Sequence, residues 1–196
     1  MFNVLLHKFP NEWQGYRIDS DFRTGILIMQ CLKDDGFPEE DRILHSLELL
    51  FPCGMPDAED AARGLAWFMS EFNHDRRSGK SETEGVRAYD FDIDQWRIYS
   101  AFRHQYNIDL NTVQMHWFAF MGLLSNLEEC AFTRVIDIRL KKPDPKANTK
   151  EKRALKELKD AYRIEDEDAH LTPEQKREQQ RQLEIFNQFM NAGKKQ

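Results

Sequence analysis

The chain has 196 residues, 40% apolar and 32% charged, with few Gly and Pro. That balance suits one helical domain with much solvated surface and excludes a turn-rich β-sandwich. The net charge of −6 excludes a general nucleic-acid binder, which needs a basic face to displace phosphate counterions.

The charge is unevenly placed. Residues 141–196 hold 14 Lys+Arg and 11 Asp+Glu, a balance of +3, which leaves −9 for the remainder. An acidic body with a slightly basic extension points to a protein partner rather than a polyanion. Cys31, Cys53 and Cys130 are far apart and form no Cys-x-x-Cys pair. They read as reduced thiols of a cytosolic protein. The N-terminus has no signal-peptide pattern, and no stretch approaches the length of a membrane span. A soluble protein is expected.

Residues 1–18 are the least helical part. Val4, Leu5 and Leu6 suit a short strand. Trp13 to Ile18 suit a second strand or a hairpin centred on Gly15. The first helix is expected to start at Asp19 or Ser20 as cap, with Phe22, Ile26, Met29 and Leu32 as its stripe. Gly36 ends it. Pro38 and the acids Glu39, Glu40 and Asp41 open the second, whose stripe is Ile43, Leu44, Leu47, Leu50 and Phe51. A third is expected over 57–73, with Ala61, Ala62, Leu65, Phe68, Met69 and Phe72 inward.

Residues 74–88 have no periodicity and read as an exposed loop. Asp92 is expected to cap the fourth helix, with Ile93, Trp96, Tyr99, Phe102 and Tyr106 as its stripe and Asn107 as its end. The fifth is expected from Asn111 or Thr112, with Val113, Trp117, Phe120, Met121 and Leu124 inward. A short sixth carries Phe132, Val135 and Ile136.

Pro143 and Pro145 make a linker. A polar helix is expected over 149–164, with Leu155, Leu158 and Tyr162 on one side. Another begins at Thr172-Pro173 and stays hydrophilic until Leu183, Ile185, Phe186, Phe189 and Met190. The expected architecture is therefore mainly α. About six helices form a core domain over 1–140, with a short N-terminal hairpin. A linker and polar helical extension follow over 141–196.

Catalytic motifs fail on inspection. Ser78-Gly79-Lys80-Ser81 resembles the end of a phosphate loop, but the position five before Gly79 is His74, not Gly. Asp90, Asp92 and Asp94 alternate like a calcium loop without its sixth-position Gly or twelfth-position Glu. Asp90 and Asp92 read better as turn and cap residues. His104 and His116 lie on neighbouring helices, but two His without further ligands do not make a metal site. His74-Asp75 would be the site of a small hydrolase, and it lacks the other ligands such an enzyme needs. No cofactor, metal or catalytic residue is assigned. The candidate partner-binding residues are Trp117 and Phe120 on the fifth helix, and Phe186, Phe189 and Met190 near the C-terminus. An amphipathic helix at the chain end serves equally to fold back or to recognise another chain.

A set of short words, in order, is familiar. They are Ile18-Asp19-Ser20-Asp21-Phe22-Arg23, Trp67-Phe68, Tyr89-Asp90-Phe91-x-x-Asp94, Ile98-Tyr99-x-Ala101-Phe102, Tyr106-Asn107-Ile108-Asp109-Leu110, His116-Trp117-x-x-Phe120 and Ile136-x-Ile138-Arg139. Over about residues 9–165 the chain resembles the bacteriophage gene product fifteen family of long-tailed phages and prophages. Asn107 stands where that family usually has Gly.

The resemblance implies a non-catalytic tail assembly chaperone. Its expected partners are the tape-measure protein, the tail-tube protein and further copies of itself along the tape measure, with no nucleic acid or membrane. Its expected place is the host cytoplasm and not the mature virion. The alternative is a structural virion component such as a head-tail connector or tail completion protein.

Overall fold

A computed structural model describes residues 3–70 and 87–164. The described residues form a two-stranded hairpin and seven helices. The hairpin pairs β1 (Glu12–Trp13) with β2 (Tyr16–Arg17), antiparallel, with Glu12 opposite Arg17 and Trp13 opposite Tyr16. Gln14 and Gly15 turn between them with φ of 50° and 85°. Two left-handed residues give the turn whose twist matches paired strands. The Trp13 indole donates to the Asp60 carbonyl at 3.0 Å and packs on Trp67, so the hairpin is pinned to the third helix.

Val4, Leu5 and Leu6 do not form a strand. The Asn3 carbonyl accepts from the amides of Leu6 and His7 at 3.0 and 2.9 Å, and its side chain accepts from Leu5 N at 2.9 Å. Local hydrogen bonds of this kind close a turn in place of a ladder.

Helix α1 spans Phe22–Lys33, α2 Glu39–Leu50 and α3 Ala58–Ser70. The cap of α1 is Asp21, not Asp19 or Ser20: its carboxylate accepts from Arg23 N at 2.9 Å. Pro38 precedes α2, and Glu39, Glu40 and Asp41 fill its first turn, where the helix dipole favours them. The buried face of α1 is Phe22, Gly25 and Ile28, while Ile26, Met29 and Leu32 pack at its edge. In α2, Ile43 and Leu44 stay exposed, and Ser46 is buried because its hydroxyl donates to Arg42 O at 2.7 Å.

Helix α4 spans Gln95–Tyr106 and ends on Asn107, whose φ of 53° supplies the left-handed cap that Gly often provides. Helix α5 spans Trp117–Ser125, α6 Ala131–Leu140 and α7 Thr149–Ala161. The fifth helix starts later than Asn111. Residues 115–117 instead lie extended against 20–22: Phe22 N donates to Met115 O at 2.9 Å and Trp117 N to Ser20 O at 2.8 Å. Arg23 fastens the preceding loop by donating to the carbonyls of Leu110 (2.6 Å) and Val113 (3.1 Å).

The core is aromatic. Phe120 stacks between Phe22 and Phe102 at centroid distances of 4.8 and 5.1 Å, and Trp117 lies among Phe68, Phe91 and Phe120. Helices α1 and α2 pack together, α5 meets α1, and α4 meets α6. Helix α7 follows the proline linker, rests on α6 and buries no residue of its own. The first compact unit of the chain ends at Tyr162. The helix expected from Thr172 lies outside the described residues.

Candidate interaction surfaces

Two polar sites tie the body together. The first starts in the Asp-rich stretch before α4. Asp90 is a turn residue, accepting from the amides of Asp92 (2.9 Å) and Ile93 (3.2 Å). Asp92 is not the cap; it receives the Gln30 amide at 2.7 Å. The cap position belongs to Asp94, which spends its fully buried carboxylate elsewhere. Arg139 of α6 grips it through two bonds of 2.6 and 3.1 Å, and Arg97 adds a third at 2.8 Å.

The remaining donors of Arg139 reach Ala88 O at 3.1 Å and Tyr162 O at 2.7 Å. Arg97 also lies over the Tyr162 ring at 5.8 Å. A buried ion pair persists only when its other donors and acceptors are also engaged. Here they are, and the pair joins α4, α6 and the end of α7. At the rim, Asp90 pairs with Arg87 and lies 3.9 Å from Lys33.

The second site is His116, the cap of α5. Its Nδ1 accepts from Phe118 N at 3.0 Å, so Nε2 carries the proton and donates to Pro10 O at 2.8 Å. Phe9 stacks on the ring at 4.9 Å. Burial pushes the His116 pKa below its ordinary value, against an opposing effect of the Pro10 carbonyl. The folded protein therefore binds fewer protons here than the unfolded chain. Stability contributed by His116 is complete above the ordinary value of ~6.5 and is lost as pH falls through it toward the lowered folded pKa. The expected result is a fall in Tm below pH 6.5 that flattens in H116N, since Asn caps helices without titrating. Parallel pH profiles of Tm for the two proteins would contradict this.

His104, by contrast, is exposed on α4. Among the described residues no group of His, Cys, Asp and Glu is arranged to hold a metal ion, and no helix is long and apolar enough to cross a membrane. His74, Asp75 and the Ser78–Ser81 segment lie outside the described residues.

Trp117 and Phe120 read as inward positions of the fifth helix and also as candidate partner-binding rings. The structure buries both, at 0% and 1% exposure, because α5 is apolar on every side and sits against the aromatic core. Trp117 offers no surface to a partner, and Phe120 reaches only the base of the groove between α1 and α4. Phe186, Phe189 and Met190 lie outside the described residues. Among the described residues the most exposed aromatic ring is Trp96, at 72%, in edge contact with Tyr99. It rims a groove of about 250 Å³ between α1 and α4, lined also by Ile26, Tyr99 and Leu110. A second groove, about 370 Å³, runs along α7 and the linker, floored by Pro143, Ala147, Ala154, Leu155 and Leu158.

The family model described as Bacteriophage Gp15 protein matches residues 5–164. The chain belongs to the Bacteriophage Gp15 family. No curated protein and no solved structure matches it. Membership makes this a phage protein and points to a structural or assembly role.

In this Gp15 protein the words of the resemblance fall on the ties just described. Asp94 and Arg139 are the buried pair. Asp21 caps α1, Arg23 holds the 110–113 loop, and His116 caps α5. The Tyr106 hydroxyl lies 3.0 and 3.1 Å from the carbonyls of Leu123 and Asn126. These residues hold the fold together. The groove along α7 lies outside the words, whereas the groove between α1 and α4 is lined largely by them, among others Phe22, Phe91, Tyr99 and Leu110.

Proposed function

We propose that this Gp15 protein is a non-catalytic tail assembly chaperone. It binds the phage tape-measure protein in the host cytoplasm, recruits tail-tube subunits, associates with further copies of itself, and leaves before the virion is complete. The observation that carries this reading is the apolar side of α7 that no other described element covers. The helix is closed at its start by a reciprocal cap between Asn148 and Glu151, yet it buries none of its residues. Leu155 and Leu158 floor an open groove, with Lys141 and Lys152 at its edges.

An amphipathic helix with an unfilled apolar groove is a binding element for another helix. A tape-measure chain is a long, partly apolar helix that would aggregate if left bare. Covering it calls for many modest helix contacts and no chemistry. The resemblance to tail assembly chaperones supports the same partner.

The test is co-expression with the tape-measure protein. The tape measure is expected to stay soluble and to co-purify with the wild-type chain. It is expected to precipitate beside a variant carrying Leu155→Glu and Leu158→Glu, whose own folding is intact because neither residue is buried. Peptides of this chain should be abundant in infected lysate and absent from purified particles. Stoichiometric recovery from particles would instead establish a structural virion component.

A further inference from the structure

The described part of the chain begins with an apolar projection that no described residue covers. Val4, Leu5 and Leu6 are 58%, 88% and 77% exposed. They are not frayed. The Asn3 carbonyl and side chain close the turn, and its base is fastened where Phe9 stacks on His116 and Pro10 O accepts from His116 Nε2. A projection already held in one shape loses little freedom on docking.

The same chain carries a hollow of matching character. The groove between α1 and α4 is lined by Ile26, Leu110, Tyr99 and the exposed Trp96 over buried aromatic rings, with Arg23, Gln95 and Asn111 as its polar members. Its volume is about 250 Å³. A cavity of about 150 Å³ takes up one benzene-sized group, so this hollow suits one or two leucine side chains. It is not filled by its own N-terminal turn, because Leu5 and Leu6 stand in solvent.

We propose that the turn Val4-Leu5-Leu6 of one copy seats in the Trp96 groove of a second copy. The two faces are different surfaces, so the contact is head-to-tail. Such a contact continues from copy to copy until a ring closes, or without limit if none does. Projection and hollow are present in equal number on every copy, and both are wetted apolar surfaces whose burial drives association. The proposal rests on the self-association in the functional reading and gives it two named faces. The tape-measure face on α7 is separate from both.

Sedimentation of the full chain over a concentration series tests this, with three proteins: wild type, a projection variant (Leu5→Asp with Leu6→Asp) and a groove variant (Trp96→Asp). All the changed side chains are largely exposed, and circular dichroism checks that each variant folds. Wild type is expected to grow beyond a dimer as concentration rises. Each variant alone is expected to remain monomeric. An equimolar mixture of the two is expected to stop at a dimer, because it contains one intact projection and one intact groove per pair. Wild type that stays monomeric overturns the proposal, as do variants that associate like wild type or a mixture that forms no dimer. Tape-measure capture in the α7 experiment is read independently, so loss of one result is distinguishable from loss of the other.

Discussion

Replacing Asp94 with Ala is expected to cost ~3–5 kcal/mol of folding stability, the usual penalty for leaving a buried charge without its partner. The magnitude follows from what remains. Arg139 keeps the carbonyls of Ala88 and Tyr162 but loses both charge-assisted bonds, in a site where its side chain is 5% exposed. The Asp90 amide, which donates to Asp94 at 3.1 Å, also loses its acceptor. Arg139→Ala should cost a similar amount and loosen the end of α7 as well. Removing both charges together, as Asp94→Leu with Arg139→Met, should cost clearly less than the sum of the single changes, since no lone buried charge is left. Urea unfolding measures all four proteins. A loss below ~1 kcal/mol for Asp94→Ala would show that the pair is not holding α4 to α6.

Trp117→Ala is the second large effect, expected at ~3–5 kcal/mol for a fully buried ring. Its site is unusually tight. A Cβ placed on Gly25 would lie 2.3 Å from the Trp117 ring, so α1 and α5 approach as closely as they do only because Gly25 has no side chain. Gly25→Ala is therefore expected to destabilise, although Ala is favoured over Gly in a helix by ~1 kcal/mol. Trp96→Ala is the contrast. Its ring is mostly in water, and its loss should change stability by no more than ~0.5 kcal/mol. Equal losses for Trp96 and Trp117 in denaturant unfolding would contradict the assignment of one to the surface and the other to the core.

Much of the architecture was legible because local signals agree. Pro38 with three acids marks the start of α2, the two prolines of the linker separate α6 from α7, and Gly15 sits where a hairpin turn needs φ above zero. The phase of α4 was not legible from spacing by threes. Each step of three residues turns a helix by about −60°, so Ile93 and Phe102, three steps apart, point in opposite directions. The buried positions are instead Asp94, Ile98, Ala101 and Phe102, the spacing of four, seven and eight that one helix face requires. That arithmetic would have exposed Trp96 from sequence alone.

Other features carry no local mark. Gly25 scores as neither apolar nor polar, and only its contact with Trp117 shows why it is there. Asp94 and Arg139 are 45 residues apart, and nothing in either neighbourhood states that they meet. The late start of α5 depends on strand-like pairing of residues 20–22 with 115–117, a tertiary contact that overrides the helical pattern of Val113 and Trp117. The grooves were illegible for a further reason. They are defined by what is left uncovered after packing, which periodicity does not report.

The most direct measurement of the whole account is the solubility of the tape-measure protein when co-produced with this chain. Wild type is expected to hold it in the soluble fraction as a complex, while the Leu155→Glu, Leu158→Glu variant, folded and equally abundant, leaves it in the pellet. A tape measure that is equally insoluble with wild type, with the variant and with neither would contradict the account.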